Sequence, residues 1–412
     1  MTQESALAPY RVIELPGSDA ALCGKILADL GADVIKVEPP GGDTTRAREP
    51  FDIKAERPES LFWKAYHRGK RGVTLDLALP EGKELLWKLI AMADFLVESY
   101  RPGVLADMGF GWEALHARHP ALILVSVTPF GQTGPYSQHR GPDLVAAAGG
   151  GYMSMTGDKE HAPVRVSTPQ AFNHGGGAGA AGALLALTQR RRTGKGQHVD
   201  AAAQHTYLSA MAQPYALWDF EGTLVGREGV WRDRGVEGLV RMVFPCKDGH
   251  VVWRIRTGRL GGPAMHKLVD RAAAEGLDVS AFEGIQWAEL GLEGLTAEQL
   301  DKGQEVFMAY FKTKTKAELF QLDAELGIML APVYNVKDIM EDEQLRFRQF
   351  FETAPGDDPR IRYPGPALRP TETPLVHGAV APRPGQHNAE VFGGLLGLAA
   401  PDLARLREAG CI

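Results

Sequence analysis

An open α/β fold with a parallel sheet is what this sequence predicts for most of its length, with a smaller α+β domain set into it. Three observations carry that expectation. Short β-branched runs alternate with segments of helical periodicity through the first 130 residues. A glycine- and alanine-rich stretch near residue 180 reads as a helix packed close to another backbone, and a hairpin signal opens a region of different character after residue 225.

In order, residues 10–15 (YRVIEL) form a short apolar run, residues 19–30 space Ala, Leu and Ile at helical intervals, and residues 33–38 (DVIKVE) make a second strand stopped by Pro39 and Pro40. Strand, helix and strand within roughly 30 residues is the form of a parallel βαβ unit, because parallel strands cannot be joined by a tight turn. The pattern recurs, with strands at 72–77 (GVTLDL), 95–100 and 122–127 (LILVSV) and helices at 80–91 and 112–118. A Rossmann-like open sheet follows. Its first turn reads Pro16-Gly17-Ser18-Asp19 and not G-x-G-x-x-G, so a bound dinucleotide is not expected. Residues 175–186 (GGGAGAAGALLA) lack the Lys and Ser/Thr of a phosphate-binding loop and read as a tightly packed core helix.

Asp200 is placed to cap a helix starting at Ala201. Gly, Arg and Asp then cluster over residues 222–238. Residues 242–255 read as a hairpin about Asp248-Gly249, and helices are expected at 265–275, 296–312 and 316–326. The expected division is 1–224 for the first part of the large domain, 225–330 for the small domain, and 331–412 for a return to the large one. That return carries a proline-rich strap over 364–384 and an amphipathic helix over 401–409.

A chain of 412 residues exceeds a typical single core, which agrees with two domains. Its 44% hydrophobic and 23% charged residues are ordinary for a globular protein. The net charge of −6 comes from 51 acidic and 45 basic residues spread along the chain, which argues against a nucleic-acid partner while leaving room for a local basic pocket. No run approaches the ~18 apolar residues of a membrane span, and the opening MTQESALAPYRVIELPG lacks a signal layout, so no membrane partner and a cytoplasmic location are expected. Cys23, Cys246 and Cys411 are odd in number and far apart, fitting a reducing compartment with no disulfide framework and no metal cluster.

Residues 31–43 (GADVIKVEPPGGD), 67–77 (HRGKRGVTLDL) and 192–200 (RTGKGQHVD) resemble the family III CoA-transferases, also called the carnitine-dehydratase and bile-acid-inducible-protein-F family. Residues 244–249 (FPCKDG), 330–351 and the closing segments follow in the family's order, so the resemblance covers nearly the whole chain. It implies an interlocked-ring dimer, CoA esters as substrates with no covalently bound cofactor, and covalent catalysis by an aspartate. That carboxylate attacks the acyl-CoA thioester, releases CoA thiolate and carries the acid through mixed anhydrides. Here the corresponding segment reads Ser167-Thr168-Pro169-Gln170-Ala171-Phe172-Asn173-His174-Gly175, with no carboxylate. The nucleophile position falls on Phe172, or on Ala171 if the loop is one residue longer, so no catalytic residue is assigned.

Two substitutes present themselves. His174 is a base by analogy with the family's racemase branch, or a capping or packed histidine. Asp143 is an acidic partner, or a helix N-terminal residue favoured by the dipole, with Pro142 where relatives carry an aromatic or histidine. For CoA contact the resemblance points to Ser18, Asp19 and Ala20, to Arg68, Lys70 and Arg71, to Ser99 and Tyr100, and to Arg140; the basic loop reads equally as a solvated turn. Asp107 and Asp19 add negative charge where an anion would sit. The resemblance therefore implies the non-catalytic subunit of a heteromeric enzyme whose paralogous sister supplies the aspartate. CoA would move from a succinyl-CoA-type dicarboxylic acyl-CoA to an aromatic or substituted succinic acid, as in the benzylsuccinate branch. An acyl-CoA racemase or isomerase using His174 with Asp143, and a CoA-ester-binding subunit without turnover, stand as alternatives.

Overall fold

The computed structural model describes residues 4–55, 58–209, 212–233, 239–291, 294–366, 368–376 and 378–412. The chain divides into a large unit of residues 1–153, 165–224 and 343–412 and a small unit of residues 154–164 and 225–342.

The large unit runs β1 (Arg11–Glu14), α1 (Ala21–Asp29), β2 (Asp33–Glu38), α2 (Leu61–His67), β3 (Arg71–Thr74), α3 (Pro80–Ala91), β4 (Phe95–Glu98), α4 (Trp112–Arg118), β5 (Ile123–Thr128), α5 (Asp143–Gly149), α6 (Ala171–Thr193), β6 (His198–Ala202), α7 (Ala203–Leu208) and α8 (Ala212–Glu221). Its six strands are parallel in the order β3-β2-β1-β4-β5-β6. Helices cover both faces, which is why Val12, Ile13, Val34, Ile35, Leu96 and Val97 read as continuous apolar runs and are fully buried. The order reverses beside β1, which pairs with β2 through Val12↔Val34 and with β4 through Val12↔Phe95. Loops leaving the C-terminal ends of β1 and β4 diverge there, and open α/β sheets hold ligands at such a reversal.

The small-residue helix is longer than its glycine run, reaching 23 residues. A Cβ on Gly176 would lie 3.1 Å from the backbone nitrogen of Cys23 and from Leu22 Cβ, so glycine is what lets α6 seat against α1. Two expectations change. Asp200 does not cap a helix at Ala201: it lies inside β6 opposite Ser126, its carboxylate accepts the Gln132 N–H at 2.9 Å, and the helix starts at Ala203. Parallel pairing with β5 overrides the local capping preference. Helix α2 was not foreseen, although Ser60 caps it by accepting the Trp63 N–H at 3.1 Å.

The β3 edge is closed by residues from the end of the chain. Gly69 N–H donates to Ala379 O and Gly72 N–H to His387 Nδ1, both at 2.9 Å, while His387 N–H returns a bond to Gly72 O at 2.9 Å. Thr74 N–H donates to Asn388 Oδ1 at 2.9 Å, and Trp63 Nε1–H holds Pro382 O at 3.1 Å. An edge that would otherwise present unpaired backbone groups is satisfied.

In the small unit, β7 (Val243–Cys246) and β8 (Gly249–Val252) form the expected hairpin, and β9 (Ala331–Pro332) adds to β8. Helices α9 (Gly258–Ala274), α10 (Ala297–Lys312) and α11 (Lys316–Leu326) pack over it, the last two opened by capping boxes at Thr296/Gln299 and Thr315/Glu318. Phe244, Trp253, Phe307 and Phe311 meet in its core, Trp253 and Phe311 edge to face at 5.2 Å. Residues 331–342, expected with the large domain, belong to this unit because β9 is a strand of its sheet.

Candidate functional site

A cavity of about 420 Å³ opens in the large unit, lined by Ser18, Asp19, Thr44, Thr45, Ala47, Arg48, Pro142, Asp143 and Phe172. It brings together the loop after β1, a 3₁₀ turn at Thr44–Ala47 after β2, and the N-termini of α5 and α6.

Asp43 builds the first two of these. Its carboxylate accepts the Thr45 N–H at 2.8 Å, the Thr45 hydroxyl at 2.7 Å and the Gly17 N–H at 3.0 Å, and pairs with Lys36 at 3.1 Å. Burial alone would raise its pKa, but Lys36 and these donors hold it down at about 2. Gly17, at φ 133°, turns the chain past Ser99, which occupies the space a Cβ would need.

Asp19 follows, half-buried, accepting the Ser18 hydroxyl at 2.7 Å. Burial pushes its carboxyl from near 3.8 up to about 6; the Ser18 bond and the Arg48 charge oppose the rise and Asp143 adds to it. Arg48 lays its guanidinium 4.3 Å from the Phe62 ring centroid and makes no ion pair among the described residues. Arg46, two residues earlier, stacks in the same way on Trp63 at 3.7 Å, but its guanidinium is clamped by Glu38 at 2.6 and 2.7 Å.

On the far side, Asp143 accepts the Phe172 N–H at 3.0 Å and the Gln170 N–H at 3.2 Å. It is the first residue of α5, as read from the sequence, and its carboxylate caps the neighbouring helix α6. Phe172 is the second residue of α6, 8% exposed, with Ala171 fully buried beside it. His174 is exposed and turns its ring edge-on to Tyr207 at 5.4 Å, outside the cavity lining. His174 and Asp143 are therefore not assembled as an acid/base pair.

The basic loop after α2 is not arranged around an anion. Arg68, 2% exposed, pairs with Glu352 at 3.2 Å and lies 4.8 Å from the Tyr363 ring centroid. Lys70, 4% exposed, donates to Glu14 at 2.6 Å and to Ala21 O at 3.2 Å; burial pushes it down to about 8 against the pull of Glu14. Arg71 bridges Asp33 and Glu390 at 2.5 and 2.8 Å. A buried cation is tolerated only with a partner, and here the partners are the protein's own carboxylates. His67 is fully buried, stacked on Trp63 at 4.0 Å, and burial together with Lys70, Lys36 and Arg46 lowers its pKa.

Ala20 is buried, and Arg140 and Asp107 are exposed. Tyr100 N–H donates to Glu98 at 2.6 Å; burial raises Glu98 to about 7 and pushes the Tyr100 hydroxyl up. Of the expected contacts, Ser18, Asp19 and Ser99 converge on one region, whereas Arg68, Lys70 and Arg71 are held elsewhere. The sequence reading missed Arg48 and the Thr44–Ala47 turn; the Asp43-x-Thr45 spacing, which lets an aspartate accept from the residue two ahead, was the available signal. Among the described residues no group of three His, Cys, Asp or Glu side chains is placed to hold a metal, and no helix is long and apolar enough to cross a membrane.

The family model for CoA-transferase family III matches residues 7–388. The chain is 33% identical over 387 residues to the succinyl-CoA:(R)-benzylsuccinate CoA-transferase subunit BbsE of Thauera aromatica, covering 93% of this chain and 92% of that protein. It is 33% identical over 400 residues to the succinyl-CoA–D-citramalate CoA-transferase of Chloroflexus aurantiacus, covering 96% of each. The crystal structure of a CAIB/BAIF family protein from Brucella suis superposes with a TM-score of 0.81 at 27% identity, covering 95% of this chain and 100% of that one.

Proposed function

The chain belongs to the family III CoA-transferases, and we propose that it is the subunit of a two-chain enzyme that lacks the attacking carboxylate, which a paralogous sister subunit supplies. Family III enzymes take CoA thioesters as substrates. The proposed reaction moves CoA from a succinyl-CoA-type donor to an aromatic or substituted succinic acid in the cytoplasm, in keeping with relatives named for succinyl-CoA with benzylsuccinate and with citramalate.

One observation carries the reading: Phe172 lines the cavity at the position where the family resemblance expects aspartate. An acyl anhydride needs a carboxylate oxygen, and a phenyl ring has none. Asp143 is no ready substitute, since its oxygens are engaged by backbone donors. A partner is further supported by helix α8 and the residues after it, where Trp218, Phe220 and Leu224 are 55%, 88% and 80% exposed. Ser18, Asp19 and Ser99 are retained as CoA contacts. His174, outside the cavity, lends the α-proton-exchange alternative no support.

Co-expression with the sister subunit tests the proposal. Given succinyl-CoA and benzylsuccinate, the mixed complex is expected to exchange CoA and to carry a hydroxylamine-sensitive adduct on the sister alone. Exchange by this chain purified alone would overturn it.

A further inference from the structure

We propose that the cavity in front of Phe172 binds a small free carboxylic acid without covalent chemistry, and that Arg48 is the residue that recognises its carboxylate. The inference deepens the function proposed above and rests on its reading of Phe172.

Two arginines close the Thr44–Ala47 turn, Arg46 within it and Arg48 at its C-cap. Arg46 and Arg48 use the same aromatic stacking, on Trp63 and on Phe62, yet differ in what the guanidinium meets. Arg46 is saturated by Glu38 and by Pro382 O. Arg48 borders an open cavity and has no carboxylate within ion-pair reach among the described residues. A guanidinium presents parallel N–H donors whose natural complement is a carboxylate, and the stacking ring fixes its plane. The other cations weighed for an anion, Arg68, Lys70 and Arg71, already have such complements inside the protein. Arg48 is the cation in the cavity lining.

Size and wall chemistry narrow the ligand. A volume of about 420 Å³ lies within the range of small-molecule sites and suits a dicarboxylic acid with or without an aryl substituent. It does not enclose a whole CoA ester. Phe172 offers the acid's carbon skeleton an apolar wall where an aspartate would instead repel its charge. The ring that removes the chemistry thus also removes a like charge from the site.

The charged groups facing the cavity are Arg48, Asp19 and Asp143. Asp143 is compensated by two backbone N–H groups at the α6 N-terminus. Among the described residues Asp19 accepts the Ser18 hydroxyl alone, and it sits in the field of Arg48. An incoming carboxylate and an ionised Asp19 would compete for that one cation, so Asp19 takes up a proton as the acid binds.

Titration calorimetry of the purified chain with succinate and with benzylsuccinate, in two buffers of different ionisation enthalpy, tests this. Saturable binding with proton uptake is expected. Arg48→Gln should weaken it at least ~10-fold with an unchanged circular dichroism spectrum, since a charge-assisted pair is lost. Arg48→Lys should retain part of it. Asp19→Asn should abolish the proton uptake and tighten binding at pH 8. Absence of binding by either acid, or binding indifferent to Arg48→Gln, overturns the inference; binding without proton uptake overturns the role of Asp19. An intact mass after incubation with succinyl-CoA separates the two proposals. An acyl or CoA adduct on this chain sinks the reading of Phe172, whereas a clean mass without acid binding sinks only the inference.

Discussion

Two clusters of charged side chains flank the loop that leaves β1, and they treat their charges differently. On one side Glu14, Lys36, Asp43 and Lys70 are all at most 4% exposed and linked pair by pair, with Lys36 reaching Asp43 at 3.1 Å and Glu14 at 3.4 Å and Lys70 reaching Glu14 at 2.6 Å. On the other side Asp19 and Arg48 line a cavity and make no ion pair with each other. The first cluster is closed on itself and holds the strand ends together. The second leaves a cation and a carboxyl facing space, which is the condition for meeting a ligand. Residue type alone does not separate the two; burial and pairing do.

The largest expected effect lies in the closed cluster. Lys70→Met takes the nearer of two cations from the buried Glu14 carboxylate, leaving Lys36 at 3.4 Å, and should cost about 3 kcal/mol in denaturant unfolding, with much of the loss recovered on adding Glu14→Gln. A cost below ~1 kcal/mol would erase the contrast between the clusters. Asp19→Asn comes next and has the opposite sign. Burial sets the folded carboxyl at about 6, above its value near 3.8 in the unfolded chain. Its stabilising contribution is therefore present below about pH 4 and is lost as pH rises through 6. The asparagine variant should be more stable than the parent by roughly 1–2 kcal/mol at pH 8 and equal to it near pH 4, read from unfolding midpoints at the two pH values. Asp143→Ala removes the cap of α6 and should cost about 1 kcal/mol, seen as a lowered thermal midpoint. Arg48→Gln should move stability by no more than ~0.5 kcal/mol at pH 4, where Asp19 is protonated and the guanidinium has no ion-pair partner among the described residues. A larger loss in that variant would place Arg48 with the structural cluster.

The sheet was legible because each strand and crossover helix carries its own period: residues 33–38 and 80–91 match β2 and α3 to the residue. Resemblance to family III, read from a few motifs, agrees with a family match along residues 7–388. Asp200 was misplaced because its local preference to cap lost to pairing between β5 and β6, a contact 74 positions apart from Ser126 to Asp200. Residues 67–71 read equally as an anion-binding loop and as a solvated turn, because sequence shows their charge but not Glu14, Asp33 and Glu352 waiting opposite. Arg48 was passed over for the complementary reason: what distinguishes it from Arg46 is the lack of an ion-pair partner among the described residues, and such a lack has no sequence pattern. Asp143 was seen as the start of a helix, but that it serves a second helix 27 residues on emerges only in three dimensions.

The seam along β3 has a consequence for synthesis. Gly69, Gly72 and Thr74 find their hydrogen-bond partners in Ala379, His387 and Asn388, more than 300 residues downstream. At the ~5–20 residues per second of a translating ribosome, that margin stays open for at least ~15 seconds after the strand has emerged. During that interval a nascent chain offers a ready template for stray strands, and one truncated near residue 350 would offer it permanently. Chaperone demand and the insolubility of C-terminal deletions should both trace to this late stitch.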